Sequence, residues 1–216
     1  MIVKYLITDV DGTLFENESL YEEIFSDLLF EKCKIPKGES ISYYRNSNGM
    51  PVDRQFKEML CKFGKETGLV DELVKEFFQE ADNFLPPLIP GVKRTLALLK
   101  RKSILIFASS GNKSDILDKR FKKRGIFKYF TMILGSEVIP KSPVHIEIFA
   151  RCAKISRAEF VKYALYVGDG PTDMKIAKEC GIKAIGIANG LMEKILRDAG
   201  ADIIISSFSK LKNHLS

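Results

Sequence analysis

The stretch that decides the fold is Ile2-Val3-Lys4-Tyr5-Leu6-Ile7-Thr8-Asp9-Val10-Asp11-Gly12-Thr13. Its first seven residues are apolar and rich in β-formers, so they read as a buried strand that ends at Asp9. Two carboxylates follow at i and i+2. These point the same way while the chain stays extended, so Asp9 and Asp11 can face one pocket. Gly12 permits the sharp turn that comes next. Read alone, the segment is equally an acidic turn closing a strand. Its meaning depends on what the rest of the chain places beside it.

Downstream of Leu85-Pro86-Pro87-Leu88-Ile89-Pro90-Gly91, a connector stiffened by proline, the text alternates between two periods. Helical patterns cover 92–100, 115–124, 146–153 and 173–180, and apolar strand patterns cover 104–108, 131–134, 163–167, 183–187 and 202–205. Strands alternating with helices imply right-handed crossovers and a doubly wound, mainly parallel α/β sheet covered on both faces. Between the first strand and this series lies a helical run, residues 16–88, which reads as an inserted α-helical domain. Ser19 with Glu22 has the form of a capping box, and Leu20, Ile24, Phe25, Leu28 and Leu29 recur at helical spacing. Pro36, Gly38, Asn46, Asn48, Gly49 and Pro51 mark a broken region. Helical patterns resume over 56–63 and 72–84. The organisation expected is a core of residues 1–15 and 89–216 with the helical insert at 16–88.

The chain has 216 residues, 45% of them hydrophobic and 29% charged. Disordered and low-complexity classes are thereby excluded. No apolar run approaches the ~20 residues that span a bilayer. The first residues lack the basic and cleavage regions of a signal peptide. Cys33, Cys61, Cys152 and Cys180 form no C-x-x-C pair, and only two histidines are present. A zinc site is not expected, and a reduced cytoplasmic setting is. The net charge of +6 is unevenly spread. Residues 16–88 hold 15 acidic and 9 basic residues, and the remainder holds 13 and 25. A basic remainder attracts anions, phosphate esters among them.

Three further features fall at predicted strand ends, where open α/β sheets bind ligands. Ala108-Ser109-Ser110-Gly111-Asn112 offers hydroxyls and turn N–H groups suited to phosphate oxygens ahead of a helix, or is a simple polar loop. Lys141, in Ile139-Pro140-Lys141-Ser142-Pro143, can neutralise a phosphoryl group, with Lys113 as the alternative. Gly168-Asp169-Gly170-Pro171-Thr172-Asp173 adds two carboxylates, which suit a hard cation such as Mg²⁺ or complement a helix dipole. The third glycine of a dinucleotide fingerprint is missing after Gly170.

Taken together, carboxylate pair, serine, lysine and carboxylate pair, in that order, resemble the four motifs of the haloacid dehalogenase-like (HAD) hydrolase superfamily. The insert resembles the helical cap of its phosphoglycolate phosphatase and β-phosphoglucomutase branch. The resemblance implies a Rossmann-like core and a Mg²⁺-dependent phosphatase acting on a small phosphorylated metabolite. Asp9 would be the nucleophile and Asp11 the general acid and base. Asp9, Asp11 (through its carbonyl), Asp169 and Asp173 would form the metal site. Lys141 would offset charge, and Ser109 with the N–H of Ser110 would bind the phosphoryl oxygens. The branch commonly reads Lys-Pro-x-Pro-Asp/Glu-Ile-Phe at its third motif. Here Glu147-Ile148-Phe149 comes two residues late, so either the loop is longer or the lysine enters differently.

Asp11 favours phosphoryl transfer over dehalogenation, because halide leaves without a proton. In the insert, Arg45, Asn48 and Arg54 are the candidate substrate-selecting residues. A sugar-phosphate mutase of the same branch is the alternative enzyme. Its arginine three residues after the loop glycine is Val52 here, and its cap histidine is Tyr21. A non-catalytic phosphate-binding module is the alternative outside enzymes. Lys119-Arg120-Phe121-Lys122-Lys123-Arg124 reads as a solvated helix face rather than a nucleic-acid site.

Overall fold

The computed structural model describes residues 2–47, 50–137 and 139–215. Two compact units divide the chain: Met1–Glu16 with Pro86–Ser216, and Asn17–Leu85.

The first unit is a six-stranded parallel sheet. Its strands are β1 (Tyr5–Thr8), β2 (Leu105–Ser109), β3 (Met132–Leu134), β4 (Ala164–Gly168), β5 (Lys183–Ile187) and β6 (Ile203–Ile205), in the spatial order β3-β2-β1-β4-β5-β6. The order reverses at β1. Tyr5 pairs with Leu105 on one side and with Ala164 on the other. A crevice for ligands opens beyond the carboxyl ends of the strands at such a reversal.

Strand alternation sorts the core into two layers. Leu6, Ile106, Ala108, Leu165 and Val167 face one way, against α5 (Val92–Arg101), α6 (Ser114–Lys123) and the 3-10 segment Phe208–His214. Tyr5, Ile7, Phe107, Ala164 and Tyr166 face the other, against α7 (Pro143–Cys152), α8 (Arg157–Tyr163), α9 (Pro171–Cys180) and α10 (Leu191–Ala199). Aromatic side chains fill the second layer: Tyr5 stacks on Phe160 with centroids 4.6 Å apart, and Phe107 lies 4.9 Å from Phe149. Each such pair adds about 0.5–1.5 kcal/mol beyond its burial.

The second unit holds α1 (Glu18–Cys33), α2 (Lys37–Asn46), α3 (Val52–Lys62) and α4 (Val70–Asn83) around Phe25, Leu29, Phe56, Leu60, Leu73 and Phe77. Two sequence expectations change here. The region read as broken contains α2. Pro36 and Pro51 are the residues before α2 and α3, where a missing N–H costs no helical bond, so they start helices rather than interrupt one. The Ser19–Glu22 capping box does not form. The helix begins at Glu18, two residues earlier than a Ser19 cap would set it, and Glu22 instead receives a bidentate bond from Arg45, at 2.9 and 2.8 Å.

Helices α8 and α10 also exceed the sequence reading. Ser156 starts α8 by accepting the Glu159 N–H at 3.2 Å. Among the described residues no helix is long and apolar enough to cross a membrane, and the four cysteines are unpaired thiols.

Candidate active site

Every motif of the first unit sits beyond a strand end at the reversal. Asp9 follows β1, Ser109 closes β2, Lys141 lies between β3 and α7, and Asp169 and Asp173 follow β4. The loop after β1 is tight: the Gly12 N–H donates to the Phe15 carbonyl at 2.9 Å, and those of Leu14 and Phe15 donate to Val10. Gly12 has φ +73°, and a Cβ there would overlap the Asp169 carboxylate. Glycine is therefore required both by the backbone and by the approach of Asp169. A Cβ on Gly168 would likewise overlap Asp173.

Ligand oxygens of Asp9, Asp169 and Asp173 all lie within 4.8 Å of one another. Asp169 is oriented by the Thr13 hydroxyl, which donates to its Oδ1 at 2.6 Å. Asp173 accepts the Gly170 N–H at 3.1 Å, closing the first turn of α9, and the Tyr166 hydroxyl at 3.3 Å. The same carboxylate thus caps a helix and faces the site.

Lys141 resolves the question left by its motif. Its Nζ bonds Asp9 Oδ1 and lies 2.6 Å from Asp173 Oδ1. Lys113 is exposed at the start of α6. Pro143 is the first residue of α7, so the chain enters that helix two residues after the lysine.

Burial governs the electrostatics. It pushes the Asp9 carboxyl up against the pull of Lys141, and it pushes Asp173 up to about 6. Burial alone would lower the Lys141 ammonium, but Asp173 and Asp9 outweigh it and hold the group well above its ordinary value. Four carboxylates (Asp9, Asp11, Asp169, Asp173) face two cations, Lys141 and Arg120. The clustered carboxylate oxygens of Asp9, Asp169 and Asp173 are hard donors of the kind that fit a divalent metal ion.

Asp11 is held from both sides. The Asn112 carboxamide donates to its Oδ2, and Arg120 Nη1 lies 3.3 Å from its Oδ1. Arg120 corrects the reading of the basic run on α6. Lys119, Lys122 and Lys123 are exposed, but the Arg120 side chain is 3% exposed. Ile116, Leu117, Arg120 and Phe121 form the buried stripe of that helix. Helical spacing carried this signal, since Arg120 falls on the apolar face.

The serines divide differently from expectation. Ser109 is buried, and its Oγ lies 2.9 Å from His145 Nδ1. The Ser110 N–H does not face the site. It donates to the Leu134 carbonyl at 3.0 Å, because β2–β3 pairing extends to that residue. Ser110 instead shapes the loop, its Oγ accepting the Asn112 N–H at 3.0 Å and its carbonyl the Ser136 hydroxyl at 2.6 Å. Thr13, Asn112, Arg120, His145 and Tyr166 are the site residues that motif reading missed.

In the helical unit, Arg45 pairs with Glu22, and Arg54 Nε lies 2.9 Å from Glu58. Asn48 lies outside the described residues.

The profile of the family described as haloacid dehalogenase-like hydrolase matches residues 6–187. "Probable phosphatase IndB" from Dickeya dadantii is 26% identical over 211 residues, covering 95% of this chain and 90% of that protein. A phosphoglycolate phosphatase from Vibrio parahaemolyticus is 23% identical over 230 residues, covering 97% and 94%. The structure of YfnB from Bacillus subtilis, bound to magnesium, superposes with a TM-score of 0.71 at 20% identity, covering 100% and 99%. A strand order reversing at β1, a carboxylate cluster at that reversal and a family match across most of the chain lead to one conclusion: this protein belongs to the haloacid dehalogenase-like hydrolases.

Proposed function

We propose that this hydrolase cleaves a small phosphomonoester, with Mg²⁺ as its metal ion, through a phosphoaspartyl intermediate on Asp9. Family membership and the phosphatase relatives support the phosphatase activity. The observation that carries the mechanism is the cluster of Asp9, Asp169 and Asp173 with Lys141 bonded to two of its members.

In the first step a carboxylate oxygen of Asp9 attacks phosphorus and the ester P–O bond breaks. Asp11 gives its proton to the departing alkoxide. In the second step Asp11 takes a proton from the water that attacks phosphorus, the bond to Asp9 breaks, and phosphate leaves. Asn112 and Arg120 hold the Asp11 carboxylate for both transfers. Lys141 offsets repulsion between the Asp9 anion and the phosphate dianion. When bound, the metal supplies charge neutralisation and orients the phosphoryl group. Asp9, the Asp11 carbonyl and Asp169 would hold it, with Asp173 supporting both it and Lys141. Ser109 would donate to a phosphoryl oxygen.

The helical unit would serve as the substrate-selecting cap, through Arg45, Asn48 and Arg54. Its net negative charge favours small substrates over polyanions and nucleic acid. Hydrolysis is favoured over the mutase alternative, since Val52 and Tyr21 replace the mutase arginine and histidine. Tyr21 packs on Phe77 with centroids 5.7 Å apart. The reading includes a cytoplasmic setting, in keeping with the four unpaired thiols.

Asp9→Asn should abolish hydrolysis of an aryl phosphate while the circular dichroism spectrum is retained. Undiminished turnover in that variant would overturn the mechanism. Phosphate release screened across sugar phosphates, phosphoglycolate and nucleotides identifies the substrate.

A further inference from the structure

Ser109 has one hydroxyl hydrogen and more than one acceptor for it. His145, on α7, is 1% exposed and its Nε2 lies 3.0 Å from the Ile139 carbonyl. A carbonyl only accepts, so Nε2 carries a hydrogen. Burial lowers the basicity of the ring, and the Lys141 ammonium lowers it further, against opposing pulls from the Ile139 carbonyl and Glu137. Above pH 7 the ring is therefore neutral in the free protein, and Nδ1 presents a lone pair. The Ser109 Oγ, 2.9 Å away, must be the donor to it. Tyr166 gives its own hydrogen to Asp173, so toward Ser109 it offers only an acceptor oxygen and leaves the claim of Nδ1 in place. A phosphoryl oxygen, however, also only accepts. The Ser109 hydrogen cannot serve both.

We propose that His145 is a positioning residue that keeps the Ser109 hydroxyl turned inward in the free protein and releases it when a phosphate dianion binds, by taking one proton from solvent and becoming the donor. The exchange balances. Nδ1···H–Oγ plus a solvent proton becomes Nδ1–H···Oγ, and the Oγ–H turns to the phosphoryl oxygen. The arriving dianion favours the imidazolium that forms. Without the exchange, Nδ1 would be left buried and unpaired, a loss of roughly 5- to 150-fold in affinity. Among the described residues, the charged groups that act on the ring are Lys141 and Glu137, both in the loop between β3 and α7. The other elements packed on α7 contribute apolar side chains to the surrounding core: Leu134 from β3, Phe160 from α8, and Met174 and Ala177 from α9. Lys141 is held well above its ordinary value and keeps its charge up to pH 9.

This inference rests on the proposed role of Ser109 in binding phosphate, and its test separates the two. Above pH 7 a phosphomonoester is already the dianion, its second pKa being about 6. Between pH 7 and 9, KM for an aryl phosphate with Mg²⁺ should rise at least tenfold in the wild-type protein. It should stay within about twofold across the same range in His145→Gln, whose carboxamide offers Ser109 either an acceptor or a donor without a proton. A wild-type KM as flat as that of the variant overturns the proposal.

The second measurement does not need activity. His145 and His214 are the only histidines, so His214→Gln leaves a single set of imidazole ¹⁵N signals. At pH 8 these should report the neutral Nε2–H tautomer in the free protein and the imidazolium with saturating inorganic phosphate and Mg²⁺. If aryl phosphate is not hydrolysed, the phosphatase reading fails, yet phosphate binding with protonation of the ring sustains this one. A ring that stays neutral with phosphate bound, or a protein that does not bind phosphate, overturns it.

Discussion

Replacing Lys141 by methionine tests the electrostatic design of the site, because it keeps most of the volume and removes the charge. The Asp9 and Asp173 side chains that it joins are 10% and 3% exposed. Removing one partner of a buried ion pair costs about 3–5 kcal/mol, since the charge left behind is uncompensated. A second route gives a similar figure. Two carboxylates with oxygens within 4.8 Å of each other repel by at least about 3.5 kcal/mol at an effective dielectric of about 20. A chain of this size loses roughly 2–4 °C in Tm per kcal/mol, so the drop should be about 6–20 °C. The cost should depend on pH. Asp173 titrates at about 6 with the lysine present, and higher without it. A carboxyl raised in the folded state penalises folding above that value, and the penalty fades as pH falls toward the unfolded value near 3.8. Urea unfolding followed by circular dichroism, with EDTA present, should therefore show a loss of about 3–5 kcal/mol at pH 8. At pH 5 the loss should be no more than half of that. Lys113→Met, at an exposed position, should stay within ~0.5 kcal/mol. A loss below about 1 kcal/mol at pH 8, or one equal at both pH values, would refute the reasoning, because lost packing alone has no pH dependence.

Two other expectations follow from the same geometry. Mg²⁺ at about 100 times its Kd should stabilise the protein at pH 8 by about 2.7 kcal/mol. The gain should shrink at pH 5, where Asp173 is protonated, and Asp169→Asn should largely abolish it; thermal unfolding with and without EDTA reads all three. Arg120→Met should lower kcat for an aryl phosphate by roughly 10- to 100-fold by removing one of the contacts that hold Asp11, whereas Lys119→Met, one residue away and exposed, should change it less than twofold.

Legibility of the site followed the kind of signal each residue carries. Asp9, Asp11, Ser109, Lys141, Asp169 and Asp173 are short motifs at strand ends, and chain order alone placed them at one edge of a parallel sheet. Arg120 and His145 were readable in principle, since each falls within an apolar stripe: Ile116, Leu117, Arg120 and Phe121 on α6, and His145, Ile146, Phe149 and Ala150 on α7. A polar group in such a stripe needs a partner, but periodicity does not say which. Ser110 shows the opposite case. Its position in a turn suggested a free N–H, and the pairing of β2 with β3 took that N–H away.

The α/β class, the helical insertion after the first strand and the carboxylate, serine and lysine motifs at strand ends were legible in the sequence itself, because periodicity and strand-end position are local properties. Tertiary structure decided everything that depends on which groups meet. It set the strand order that reverses at β1. It turned Pro36 and Pro51 from breaks into helix starts. It brought Lys141 to Asp9, and it placed Arg120 on Asp11 and His145 on Ser109. The reason is physical: a buried charge or hydrogen-bonding group is defined by its partner, and residues 36 and 109 positions apart in sequence become partners only when the sheet brings their loops to one edge.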